Sequence, residues 1–200
     1  MKKIFDMNNP FMKTLSVAAD LLAMNVMALI CCLPVITAGA GLTAMNDLAV
    51  HLSRQEESYL FKPFFRSFRV NFRQSTLMWL LFLAAGGLLY FDYHAAAVYA
   101  PALRYPIAAI GVLVLAIGMY AFALLSRYEN TVFGTLKNAV SLAIACFPRT
   151  LGMVAFTLAF WVLCIRFFKI GTPVLLLFGL SLPCFVCALL LKGVFQKLES

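Results

Sequence analysis

The chain has 200 residues, of which 64% are hydrophobic and only 12% charged, with a mean hydropathy of +0.93. A soluble domain carries about 25% charged residues, so this composition excludes a water-soluble fold and predicts a single integral membrane domain over residues 1–200. The net charge of +8 does not point to nucleic acid, because the lysines and arginines stand between long apolar runs, as the cytoplasmic flanks of membrane spans do.

In chain order, Met1–Lys13 sets Lys2, Lys3 and Lys13 around Asp6, Asn8, Asn9 and Pro10, which reads as a cytoplasmic lead-in. Thr14–Leu33 is long enough to cross a bilayer, holds Asp20 and Asn25, and has no persuasive cleavage site. It is expected to stay as a first span rather than be removed as a signal peptide. Pro34 ends it, and Ala38-Gly39-Ala40-Gly41 predicts a reversal in which small residues permit a tight turn or a close helix approach. Leu42–Ser53, with Asn46, Asp47 and His51, is a short second span in this reading. A re-entrant piece and a helix buried by its neighbours are the alternatives.

The segment Leu60–Gln74 is the most patterned in the chain. Phe61, Phe65, Phe68 and Phe72 recur at steps of four, three and four, so they stack on one stripe of a helix beginning near Phe61, with Pro63 in its first turn. Lys62, Arg66, Arg69 and Arg73 each follow a ring by one residue, about 100° further round. A helix lying flat at the cytoplasmic interface would put the rings in lipid and the cations on anionic phosphates of the inner leaflet. The alternative is a docking surface for a protein partner.

Ser75–Phe91 then reads as a third crossing with Trp79, Tyr90 and Tyr93 as interfacial aromatics, Asp92–Tyr105 as a short outer loop, and Ile107–Leu125 as the return. Arg127, Glu129 and Asn130 open a second amphipathic elbow in which Phe133, Leu136, Val140, Ile144 and Phe147 share a face, with Pro148 and Arg149 expected to stop it. Thr150–Phe167 crosses outward, Arg166–Lys169 with Gly171 and Pro173 turns, and Val174–Leu191 returns to leave Lys192 and Lys197 inside. The expected fold is an all-α polytopic bundle of six crossings, the second short, with two amphipathic elbow helices at the cytoplasmic interface. Of the 16 basic residues, only Arg104, Arg166 and Lys169 fall outside in this scheme, so both termini are expected in the cytoplasm. An odd number of crossings would strand the basic elbow on the wrong side.

Polar residues within the apolar runs are the places where a mechanism can sit. Asp20 and Asp47 fall at similar depths, about 9 Å from the cytoplasmic ends of their segments, and two carboxylates that met there would repel or share a proton unless a cation joined them, His51, Arg54 or an elbow arginine being the natural candidates. A proton or cation site, a polar hinge controlling the inner mouth of a cavity, or a structural polar lock fits that pattern, with Asn25 and Asn46 as helix–helix hydrogen bonds. The six cysteines lie in or beside apolar segments and behave as small hydrophobes; Cys184-Phe185-Val186-Cys187 has C-x-x-C spacing, but a redox centre needs an activated thiol and a lipid setting works against one. His51 and His94 fall on opposite sides and cannot share a metal, and the sequence has no phosphate-binding loop and no nucleophile–histidine–acid set. No cofactor and no enzymatic activity are expected. Gly86-Gly87 is assigned to close helix contact.

Cys31-Cys32-Leu33-Pro34-Val35-Ile36-Thr37-Ala38-Gly39-Ala40, followed by Phe64-Phe65-Arg66-Ser67-Phe68-Arg69-Val70-Asn71-Phe72-Arg73-Gln74 and Trp79-Leu80-Leu81, resembles the YesL-like family of bacterial membrane proteins, domain of unknown function 624. Arg127-Tyr128-Glu129 and Leu136-Lys137-Asn138-Ala139 fit its second half. The resemblance implies a Gram-positive bacterium, a plasma-membrane location, and genes placed beside carbohydrate ABC importers and polysaccharide-degrading enzymes. It carries no catalytic residues. The function expected is therefore a non-enzymatic accessory subunit or scaffold of a carbohydrate ABC-type uptake system, binding permease subunits and anionic lipid. An autonomous small-solute or ion transporter or channel using Asp20 and Asp47 is the alternative.

Overall fold

The computed structural model describes residues 10–53, 60–128, 130–167, 173–174 and 177–198. Lys2, Lys3, Arg54, Glu129 and Lys169 lie outside the described residues. Among the described residues the fold is carried by α1 (Pro10–Cys32), α2 (Ala38–Ser53), α3 (Phe61–Tyr99), α4 (Arg104–Leu125), α5 (Val132–Ala145), α6 (Phe147–Arg166) and α7 (Ser181–Leu198). Short 3-10 turns, Val35–Thr37 and Pro101–Leu103, join α1 to α2 and α3 to α4. Among the described residues there is no strand.

Prolines mark where several of these helices start. Pro63, Pro106, Pro148 and Pro183 all stand at the second or third residue of α3, α4, α6 and α7, where the missing N–H has no intrahelical acceptor to lose. Pro148 therefore opens α6 instead of stopping α5. Thr131 caps α5, its hydroxyl accepting from the Gly134 N–H at 3.2 Å.

The expected elbow over Leu60–Gln74 is not a separate helix. It is continuous with the crossing that follows, and the expected outer loop from Asp92 is helical to Tyr99, so that α3 runs 39 residues, about 58 Å. Nothing in Arg73-Gln74-Ser75-Thr76 interrupts a helix, since a change from basic to apolar surface alters what surrounds a helix and leaves its backbone intact. α5, in contrast, is separated from α6 at Cys146, whose backbone leaves the helical region with φ −108° and ψ 38°.

α2 is the hub, packing against α1, α3, α4 and α7. Two apolar clusters flank it. One joins Leu21, Met24 and Ala28 of α1 to Met45, Leu48 and Phe64, with Cys184 and Ala188 of α7. The other gathers Met78, Tyr120–Leu124, Ala139, Ala143 and Met153, with Cys187 and Leu191. The outward surface is apolar along α1, the second half of α3, α4 and α6, and among the described residues four segments, Thr14–Cys32, Phe61–Tyr99, Pro101–Leu125 and Phe147–Arg166, are long and apolar enough to cross a membrane. The chain thus has the build of an integral membrane protein.

Candidate functional site

The α2–α3 seam holds Asp47, with His51 beside it, among the polar residues that sequence analysis singles out. Small residues allow the two helices to approach: a Cβ on Gly39 would collide with the Ser75 carbonyl oxygen and the Trp79 side chain, and one on Gly41 would stand 3.2 Å from Cys31 of α1. The Ala38–Gly41 stretch serves close packing within α2. Gly86 and Gly87, expected at a helix contact, face open space.

Hydroxyls then fill the seam. Ser75 donates to the Thr43 hydroxyl at 2.8 Å, which donates to the Gly39 carbonyl at 3.0 Å, and Trp79 Nε1 donates to the Val35 carbonyl at 2.8 Å. One helical turn or so further along α2, the Asp47 carboxylate accepts a hydrogen bond from Ser67 and lies in the field of His51 and Arg127. His51 Nε2 stands 3.7 Å from Asp47 Oδ1, one helical turn away on the same helix. Asn71 extends the chain by donating to the Ser67 hydroxyl at 3.4 Å. Asp47 is only partly exposed, and its bond to Ser67 joins α2 to α3 beside the charges of His51 on its own helix and of Arg127 after α4.

Asp20, on α1, is not among the groups that act on Asp47. Asn25, fully buried on α1, has a role that periodicity cannot reveal. Its Oδ1 accepts from the Leu180 N–H at 2.9 Å and the Ser181 N–H at 3.0 Å, capping α7 from 155 residues away. Asn46 bonds within its own helix, to the Leu42 carbonyl at 2.9 Å. Lys192 Nζ reaches the Ser53 carbonyl at 3.1 Å and ties the far end of α7 to α2.

Along α3, Phe61, Phe65 and Phe72 are exposed, as are Lys62, Arg66, Arg69 and Arg73, while Phe68 packs in part against the α1–α2 cluster with its ring 5.6 Å from that of Phe72. The ring that anchors the helix is Phe64, fully buried and outside the predicted stripe. Phe61, Lys62, Phe65, Arg66, Arg69 and Val70 border an open groove of about 530 Å³. Cys184 and Cys187 belong to different apolar clusters, each packed as a small hydrophobe.

Residues 21–93 match the model of a family described as a protein of unknown function, DUF624, the family that the sequence resembles. The match takes in α2, the Asp47–Ser67 contact and the basic face of α3, and stops before Arg127. No curated protein and no solved structure matches the chain.

Proposed function

We propose that this chain is a non-enzymatic, multi-pass protein of a bacterial plasma membrane that serves as an accessory subunit or scaffold for the permease subunits of a carbohydrate ABC-type uptake system. The observation that carries the docking role is the outward face of α3. Phe64 and Ser67 fasten the helix from behind, while Phe61, Phe65 and Phe72 stay uncovered beside Lys62, Arg66, Arg69 and Arg73. A rigid helix offering rings flanked by cations suits a partner with an apolar, acidic-rimmed surface, and its arginines also suit the phosphates of anionic lipid. The carbohydrate system itself rests on the family resemblance alone.

Sidedness follows from charge. Thirteen of the 16 basic residues collect at one level under an even number of passes, which supports cytoplasmic ends for this chain. Six passes satisfy that parity, and so do four passes with a hairpin that returns to its own side.

The test is recovery of the tagged protein in mild detergent from native cells growing on polysaccharide, with mass spectrometry of what accompanies it. Permease subunits are expected, and Arg66→Glu with Arg69→Glu is expected to lose them while the protein still inserts at its normal level. Mislocalisation of that variant would assign the face to lipid. Flux through reconstituted vesicles that Asp47→Asn abolishes would replace the scaffold with a transporter.

A further inference from the structure

The antiparallel register of α2 and α3 fixes how far the α1–α2 pair reaches. Asp47 meets Ser67, Thr43 meets Ser75, Gly39 meets Ser75 and Trp79, and Val35 meets Trp79, so each step along α2 is matched by a step back along α3. The second half of α3 is matched in turn by α4: Phe82 with Gly118 and Phe122, Trp79 with Phe122, and Tyr93 beneath the Arg104 guanidinium at 4.6 Å. The connection between α1 and α2 therefore stands level with Trp79. From there α3 continues 13 residues, about 20 Å, before the exposed Asp92, and on to Tyr99, while its basic face ends at Arg73, about 9 Å the other way.

Both helical pairs cannot reach the far face of one bilayer. If Pro34 stood at the outer surface, the exposed Leu88, Phe91 and Val98 and the apolar outer face of α4 would project into water. The exposed cations decide which pair falls short. Lys62, Arg66, Arg69 and Arg73 lie on the part of α3 that runs beside α2, and four solvent-facing cations along about 16 Å of helix are not accommodated in hydrocarbon.

The connection itself has the chemistry of a buried tip. Leu33 is 81% exposed, Val35 61% and Ile36 59%, with no charged side chain from Leu21 to Asn46. Several of its backbone groups are bonded from within: the Leu33 N–H to Ile30, the Thr37 N–H to Pro34, the Cys31 and Pro34 carbonyls to the Thr37 hydroxyl, and the Val35 carbonyl to Trp79. Pro34 has no N–H to satisfy. Non-helical backbone persists in a bilayer only when its polar groups are satisfied in this way.

We propose that α1 and α2 form a re-entrant hairpin that enters from the cytoplasmic side and returns to it, with Leu33, Val35 and Ile36 seated among the acyl chains of the inner leaflet. The inference rests on the sidedness given above and reduces the full crossings from six to four. Its test uses three single cysteines in a chain with Cys31→Ala and Cys32→Ala, the unmodified background serving as blank. On intact cells a membrane-impermeant maleimide is expected to label Ala102→Cys and to leave Val35→Cys and Asn138→Cys unlabelled. A nitroxide at position 35 is expected to collide with oxygen in preference to a water-soluble nickel chelate. Labelling of Val35→Cys from outside as fully as Ala102→Cys, or a nitroxide that favours the nickel chelate, would overturn the hairpin. Labelling of Asn138→Cys in place of Ala102→Cys would instead overturn the sidedness.

Discussion

Gly39 and Gly41 stand two residues apart and face different neighbours, which makes them a matched pair for measuring what close packing contributes. A methyl at Gly39 meets backbone of α3, which cannot move without breaking the Thr43–Ser75 hydroxyl contact, whereas a methyl at Gly41 meets the Cys31 side chain at 3.2 Å. Gly39→Ala is expected to destabilise the purified protein by about 1–3 kcal/mol, the usual cost of overpacking, and Gly41→Ala by clearly less. Thermal unfolding in detergent, ranked for the two variants, checks this. Equal melting temperatures would mean that the α2–α3 seam is looser than the register indicates. Asn25 offers a second measurement at this scale. Removing its side chain leaves two N–H groups, one buried and one partly buried, without their acceptor, and Asn25→Ala is expected to cost about 1–3 kcal/mol, while Asn25→Asp, which keeps an acceptor oxygen, recovers much of it. The sequence marks Asn25 as an intramembrane polar residue. Its partners are backbone groups at Leu180 and Ser181, and backbone leaves no trace in composition or spacing.

α3 shows what periodicity reveals about an element and what it hides. The aromatic stripe and its cations are where helical spacing puts them, on the outside, and Phe61 does begin the helix. The face that packs runs through Phe64, Ser67, Ser75 and Met78, a mixture of large, small and polar residues that no hydropathy scale distinguishes from the rest. In a membrane the outward face is as apolar as the inward one, so small and hydroxyl side chains mark the contact better than hydrophobicity does. α5 repeats the pattern: Thr135, Ala139 and Ala143 are buried, while Phe133, Ile144 and the following Phe147 look outward. A direct consequence is that Phe64→Ala, which opens a cavity in the α1–α2 cluster, is expected to cost about 3–5 kcal/mol, and Phe61→Ala and Phe65→Ala to stay within about 0.5 kcal/mol. Denaturation of the three variants in one detergent discriminates them. A large loss for Phe65→Ala would place that ring in a contact within the protein and weaken its case as a docking group.

At the scale of the whole molecule, composition and the distribution of lysine and arginine were enough to indicate a helical membrane protein, because both are sums over many residues. Crossing number was not legible in the same way, since a re-entrant pair adds two passes or none and leaves every charge on its own side. Depth is set by which residues on different helices stand level, and that is decided at contacts such as Thr43–Ser75 and Phe82–Gly118. The same contacts determine how the chain can be divided. Residues 1–100 contain the α1–α2 hairpin and all of α3, yet the cluster built on Met24, Met45 and Phe64 is completed by Cys184 and Ala188, and Asn25 caps α7. The C-terminal half is equally incomplete, because Met78 belongs to the cluster around Tyr120 and Met153. Each half expressed alone would expose small-residue seams and unpaired polar groups that neither lipid nor water satisfies. Residues 1–100 and 101–200 are therefore expected to be degraded singly, and to accumulate and co-purify when expressed together. Alanine at Asn25 should weaken that association, since it removes a bond that passes from one half to the other. Stable accumulation of residues 1–100 alone would show that the hairpin and α3 form a self-sufficient unit and that α7 is only an addition to it.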